Sequence, residues 1–248
     1  MNKLVLLNNL KAKHKDKTHF ITYGDVNYIN SKKRILKEAK KSGFFATYQG
    51  YGTNDLSKDF VTKYSDILKE PVGGGYWIWK LDIILSKLSK IRYGEFLIYL
   101  DCGCSIKKDG IKRLNYYLDL LNNSKFGIIS FQLEEIEREW TIKEIFNFFN
   151  VSLESKIAKS GQYIGGVLIM QKKPHLLKLL NIYKSVIEKN TKLITDYYSN
   201  VQKKFFKYNR HDQSIFSIIR KIHNSIVLSD ETFKNNKNKV PFLATRLK

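Results

Sequence analysis

Phe96-Leu97-Ile98-Tyr99-Leu100-Asp101-Cys102-Gly103 is the stretch that decides the fold. Five consecutive apolar residues read as a strand covered on both faces, which belongs near the centre of a mostly parallel sheet. The strand stops abruptly at an acid. In an open parallel sheet, ligands lie beyond the carboxyl ends of the strands. Asp101 is therefore expected on a rigid support at the rim of the core, where a carboxylate can bind a divalent cation that bridges a diphosphate. Position alone equally allows an Asp that caps a turn. Gly103 would let a ligand approach the backbone closely.

Strand-like and helix-like segments alternate on both sides of this stretch, with no internal repeat, and this pattern predicts an α/β domain. Upstream, residues 19–23 read as a first strand ending at Gly24-Asp25. Residues 31–42 read as a helix stopped by Gly43, and residues 44–48 as a second strand. Trp77, Leu81, Ile84, Leu85, Leu88 and Ile91 recur at spacings of three and four, predicting a helix over 76–91. Downstream, residues 126–131 and 163–170 read as strands. Helices are expected around Ile111–Leu121, from Thr141, around Leu176–Ile187 and around Ile215–Ile222, with a final strand near 225–228. The expected organisation is one domain, with residues 1–17 as an N-terminal extension and 233–248 as a polar tail.

The chain has 248 residues, of which 43% are hydrophobic and 13% aromatic, so it is long and apolar enough to bury a core. No apolar run approaches the roughly 18–20 residues that span a bilayer. The opening Val5-Leu6-Leu7 is too short for a secretory signal, which predicts a cytosolic protein. Cys102 and Cys104, one residue apart, make a poor disulfide pair and read as two half-buried thiols.

The formal charge is +21, from 44 basic and 23 acidic residues. Such a field attracts phosphates, nucleic acid or an anionic membrane surface. The excess is mostly Lys and is spread along the chain. It therefore reads as diffuse solvated charge more than as a nucleic-acid surface, and no recognition motif accompanies it.

Four further stations could carry chemistry. Gly73-Gly74-Gly75-Tyr76-Trp77-Ile78-Trp79-Lys80 places triglycine before a helix, which frees backbone N–H groups for an anion, with Lys80 one turn inside. Its tryptophans read as core. His211-Asp212-Gln213 sits at a helix start and offers a metal ligand and a carboxylate, or simply an N-cap. Gln162-Tyr163-Ile164-Gly165-Gly166 reads as a close backbone approach under a ligand, or as packing against a helix. Glu134, Glu135, Glu137 and Glu139 form an acidic island. It reads mostly as a solvated face, with one member able to serve as general base for an acceptor hydroxyl. His14, His19, His175 and His223 have no patterned partners.

In this order, the Gly-Gly-Gly-Tyr-Trp-Ile-Trp-Lys, Phe-Leu-Ile-Tyr-Leu-Asp-Cys-Gly-Cys, Gly-Gln-Tyr-Ile-Gly-Gly and Arg-His-Asp-Gln-Ser-Ile-Phe segments resemble small GT-A type glycosyltransferases of bacterial surface-polysaccharide loci and large DNA viruses. The resemblance runs from about Phe20 to Leu228. It implies a GT-A type, Rossmann-like sheet flanked by helices, which transfers a sugar from a nucleoside diphosphate sugar to a carbohydrate or lipid-linked acceptor. On that resemblance Tyr23, Gly24 and Asp25 would border the nucleotide. Lys80, Asp101, Gly103, Gln162, Gly165 and Gly166 would hold the donor, with Asp101 and Asp212 at the reaction centre. Asp101 and His211 would ligate Mn²⁺ or Mg²⁺. The chain departs from the family's Asp-x-Asp motif at its second acid, which is Gly103 here, so that motif offers a metal one carboxylate. A basic transferase of this kind is also expected to touch the inner face of a membrane peripherally. Two other readings stay open: a nucleic-acid-binding protein, and a catalytically silent sugar-binding member of the same fold.

Overall fold

The computed structural model describes residues 11–233 and 239–247. The Val5-Leu6-Leu7 opening, residues 234–238 of the polar tail and residue 248 lie outside the described residues.

The strands are β1 (Thr18–Tyr23), β2 (Thr47–Tyr51), β3 (Phe96–Leu100), β4 (Ser105–Ile106), β5 (Ile128–Ile136), β6 (Gly161–Tyr163), β7 (Val167–Gln171), β8 (Ile226–Ser229) and β9 (Phe242–Leu243). The longer helices are α1 (Ile29–Ser42), α2 (Trp79–Lys90), α3 (Ile111–Asn122), α4 (Pro174–Lys189) and α5 (Asp212–His223), with short helical turns between them. Seven strands form one sheet in the order β2-β1-β3-β7-β5-β6, with β8 beside β5. β1, β2 and β3 are mutually parallel, and β5 and β8 run with them, while β6 and β7 run against them. The sheet is thus mixed and mostly parallel, flanked by helices, as the alternating segments predict.

β3 is central, and its residues alternate between two cores. Leu97 and Tyr99 join the core under α2, α4 and α5, whereas Phe96, Ile98 and Leu100 join the core under α1 and α3. All five are at most 1% exposed, which explains why the run shows no polar alternation. β7 divides in the same way, with Leu168 and Met170 on one side and Val167 and Ile169 on the other.

Three readings of the sequence need correction. The second strand lies at Thr47–Tyr51, beyond the apolar Phe44-Phe45 pair, which is buried in the core under α1. As an edge strand with three exposed residues, it needed no apolar run. The single strand expected over 163–170 is two strands, β6 and β7, joined by Ile164-Gly165-Gly166. The C-terminal tail is built into the fold: Phe242 and Leu243 pair antiparallel with Ile106 and Ser105. At the other end, the Lys13 N–H donates to Asn115 Oδ1 at 3.0 Å, tying residues of the expected extension to α3. Among the described residues, no helix is long and apolar enough to cross a membrane.

Candidate active site

β3 delivers Asp101 to the sheet's carboxyl edge, and a cleft of about 760 Å³ opens there. The backbone N–H of Asp101 donates to Gly166 O at 2.9 Å, which ties the strand end to the β6–β7 link. The Tyr99 hydroxyl donates to Asp101 Oδ1 at 2.5 Å. Residues two apart in a strand point to the same face, so this contact follows from local geometry. Burial pushes the Tyr99 hydroxyl pKa well up, and the Asp101 charge adds to that, so it remains a proton donor. Asp101 Oδ2 takes no hydrogen bond among the described residues, and its side chain is 40% exposed.

Lys80 rises from the first turn of α2 into the floor of the same cleft. Its Nζ lies 2.5 Å from Asp212 Oδ2, 3.5 Å from Asp101 Oδ1 and 3.2 Å from the Gly165 carbonyl it donates to. Burial disfavours the ammonium, but Asp101 and Asp212 outweigh it and hold the Lys80 pKa above its ordinary value. Asp212 opens α5. Burial pushes its carboxyl upward, and Lys80 pulls it part of the way back. The glycine pair fits beneath this cluster because it lacks side chains. A Cβ on Gly166 would stand 2.6 Å from Asp101 Oδ2, and one on Gly165 would stand 2.8 Å from Gln213 Cβ.

The triglycine does not end in free N–H groups. Gly73, Gly74, Gly75, Tyr76 and Trp77 all have positive φ, from 54° to 94°, and so form a left-handed turn. The amides of Gly74, Gly75, Tyr76 and Trp77 donate within this segment, to Pro71, Glu70, Val72 and Gly73 carbonyls. α2 begins only after the turn, so the anion-binding helix start expected there is not formed. Two aromatic residues in left-handed backbone are costly, and such strain persists only where packing over-determines it. Trp77 packs on Gly73, where a Cβ would come within 2.3 Å of its ring. Both tryptophans border the cleft; Trp79, 4% exposed, is also core, whereas Trp77 is only partly buried against that core.

Trp79 stacks on Tyr23, with ring centroids 3.7 Å apart. Tyr23, Gly24 and Asp25 all line the cleft. Burial pushes the Tyr23 hydroxyl up to about 12. His211 also lines the cleft and has φ 49° and ψ −115°, an unusual conformation for a residue with a side chain. The rings of Tyr76, Trp77 and Tyr208 lie 5.0, 5.5 and 5.4 Å from its own. Its Nε2 is engaged by Asp196 Oδ1 at 2.9 Å.

Of the two nitrogens His211 could offer a metal beside Asp101, Nε2 is taken by Asp196. Among the described residues, no group of three or more His, Cys, Asp or Glu side chains could hold a metal ion. Asp101 Oδ2 is an uncommitted donor in the cleft among the described residues. One carboxylate suits only a cation whose remaining shell comes from water and phosphate oxygens.

Two more expected residues take different roles. Gln162 is fully buried and does not reach the cleft. Its amide nitrogen donates to Glu137 Oε1 at 2.9 Å and Thr141 Oγ1 at 3.0 Å, while its carbonyl accepts from Gln213 at 2.6 Å. Gln213 in turn accepts the Gly165 N–H at 2.8 Å, so Gln162 supports the floor from below. Gly103 lines the cleft, but the chain's own tail approaches it: Leu247 N donates to Gly103 O at 2.9 Å. Cys102 and Cys104 flank it as buried free thiols. Burial pushes Cys102 up to about 11, so both stay protonated.

The acidic island is not one solvated face. Glu137 is fully buried against Thr141, Gln162, Ser217 and Lys221. Of the four glutamates, Glu135 alone lines the cleft, where Arg210 meets it at 3.2 Å. Arg210 itself lies over the Trp140 ring, 4.1 Å from the centroid. Trp140, Tyr208 and Arg246 line the site without any patterned signal in the sequence, and Arg210 lines it from the head of the Arg-His-Asp-Gln segment. Tyr99 could have been found from the strand's two-residue period.

No family model and no curated relative matches the chain. Among solved structures it is similar to a glycosyltransferase involved in the glycosylation of the major capsid of PBCV-1, at 12% identity, covering 91% of this chain and 92% of that one, with a TM-score of 0.51. The fold is that of GT-A glycosyltransferases. The GT-A chain also aligns with mouse xyloside xylosyltransferase 1, at 11% identity, 86% and 84% coverage and a TM-score of 0.47. A further alignment is with the galactosyltransferase LgtC in complex with donor and acceptor sugar analogues, at 12% identity, 86% and 73% coverage and a TM-score of 0.47.

Proposed function

We propose that the protein is a nucleotide-sugar-dependent glycosyltransferase that moves a hexose, deoxyhexose or pentose onto a hydroxyl of a carbohydrate or lipid-linked acceptor, in glycan synthesis. The observation that carries this reading is the convergence of Lys80, Asp101 and Asp212 on one cleft at the carboxyl edge of a GT-A sheet. These residues come from separate parts of the chain, and a turn-capping Asp101 would require neither of the others.

In this reading the nucleotide lies toward Tyr23, Gly24 and Asp25, and the diphosphate lies over Asp101. The bond between the anomeric carbon and the phosphate oxygen breaks, a bond to the acceptor oxygen forms, and the acceptor's proton passes to a carboxylate. Glu135, partly exposed in the cleft, is the candidate for that proton. Asp212 is buried against Lys80, so its role is to hold the ammonium under the departing diphosphate. Mn²⁺ or Mg²⁺ carried in by the donor would neutralise part of that charge, held by Asp101.

Four carboxylates and three basic side chains line the cleft, which speaks against a positive groove for nucleic acid there. The test is calorimetry of the chain with a panel of nucleoside diphosphates, with and without Mn²⁺. Binding of one of them at micromolar to millimolar concentration is expected, and binding of none would overturn the reading.

A further inference from the structure

A nucleoside diphosphate is anionic, and the lining of the cleft leaves little free positive charge to meet it. Asp25, Asp101, Glu135 and Asp212 face Lys80, Arg210 and Arg246. Lys80 is committed to Asp212 and Asp101, and Arg210 to Glu135. Arg246 has no carboxylate partner among the described residues.

The position of Arg246 is built. Thr245 Oγ1 donates to the Gly103 carbonyl at 2.9 Å, and the Leu247 N–H donates to the same oxygen at 2.9 Å. Thr245 also shares a 2.8 Å hydrogen bond with Ser105, and the Leu247 carbonyl accepts from Ser31 at 3.3 Å. Arg246, held between two pinned neighbours, has φ 52°. A left-handed arginine of this kind persists only where its surroundings impose it. Its backbone lies against the turn that follows Asp101: a Cβ on Gly103 would stand 3.3 Å from Arg246 Cα. From the other side, Arg34 donates to the Cys102 and Cys104 carbonyls at 2.7 and 2.9 Å, so the turn is clamped between α1 and the tail.

We propose that Arg246 binds the donor's diphosphate, and that the pinned C-terminal strap exists to carry that guanidinium to the mouth of the site. A planar guanidinium with several donors matches phosphate oxygens in a way an ammonium does not. The proposal rests on the nucleotide-sugar reading and names a binding residue for it.

The experiment is calorimetry on the full chain with UDP, GDP and the other common nucleoside diphosphates, followed by the matching monophosphate of whichever binds. Wild type, Arg246→Ala and Arg246→Lys are compared. Arg246→Ala is expected to weaken the diphosphate by about tenfold or more. The monophosphate should be weakened less, and Arg246→Lys should recover part of the loss. An unchanged diphosphate affinity overturns the proposal. So does an equal loss for both nucleotides that Arg246→Lys does not recover, because that marks a strap with no charge role. If wild type binds no nucleoside diphosphate, both this proposal and the proposed function fall; the other adverse outcomes leave the proposed function standing.

Discussion

Lys80 and Asp212 are 132 residues apart in the chain, yet Nζ and Oδ2 lie 2.5 Å apart, with side chains only 5% and 9% exposed. A buried pair of this kind adds little stability over an apolar replacement, but losing one partner leaves a charge without compensation. Lys80→Met is therefore expected to destabilise the fold by ~3–5 kcal/mol. The double variant Lys80→Met, Asp212→Leu should recover most of that loss, and neither should transfer sugar. Urea denaturation alongside a donor-turnover assay separates the two effects. A double variant as unstable as the single one would show that the pair is not what the buried charges depend on.

Gly166 tests the floor of the cleft. A Cβ there would stand 2.6 Å from Asp101 Oδ2, the far end of a side chain that is 40% exposed and able to swing away. Gly166→Ala should leave the unfolding midpoint almost unchanged while weakening nucleoside diphosphate binding by about tenfold, equivalent to ~1.4 kcal/mol. Full affinity in this variant would remove Asp101 from the donor site.

Gly75 tests the left-handed turn. It has φ 94°, and an added Cβ would meet the backbone at Ile67 O and Leu68 Cα, both at 2.9 Å. Gly43 has φ 71° with nothing within 4 Å of its added Cβ. Gly43→Ala should cost about 1 kcal/mol from backbone strain alone. Gly75→Ala should cost clearly more, because the chain itself must move. Equal losses in thermal or urea unfolding would show that the turn yields freely.

His19 gives the fold a dependence on pH. It is 9% exposed, between Thr47 Oγ1 at 2.8 Å and Glu95 Oε2 at 3.2 Å. Burial holds its pKa below the ordinary 6.5, although Glu95 opposes this. The unfolded chain then binds that proton more readily. The contribution is complete above about pH 6.5 and declines as pH falls through the lowered folded value. Denaturation series at pH 7.5 and 5.5 should show a stability loss in wild type that is smaller in His19→Gln. The same loss in both chains would assign it to other groups.

Much of the architecture was legible in the apolar pattern. The uninterrupted run Phe96–Leu100 announced a strand buried on both faces, and Gly43 marked the end of α1 with φ 71°. Asp101 was legible too, because an acid directly after such a run has to stand at its rim. The edge strand β2 was misplaced, since its solvated face removes the signal that apolar counting reads. The triglycine misled because glycine announces freedom of φ without saying what fills it. Here it is a left-handed turn that uses its own amides.

The central strand with Asp101 at its end and the long amphipathic helices were determined by the sequence alone, because spacing of 2.0 or 3.6 residues sets the face on which a side chain emerges. Which charges are spent on one another was decided only by the tertiary structure. Lys80 is claimed by Asp212 and Asp101, Arg210 by Glu135, and His211 by Asp196, while Arg246 has no carboxylate partner among the described residues. Pairings across 132 or 75 residues depend on how the sheet brings its strand ends together, and no local pattern records that distance.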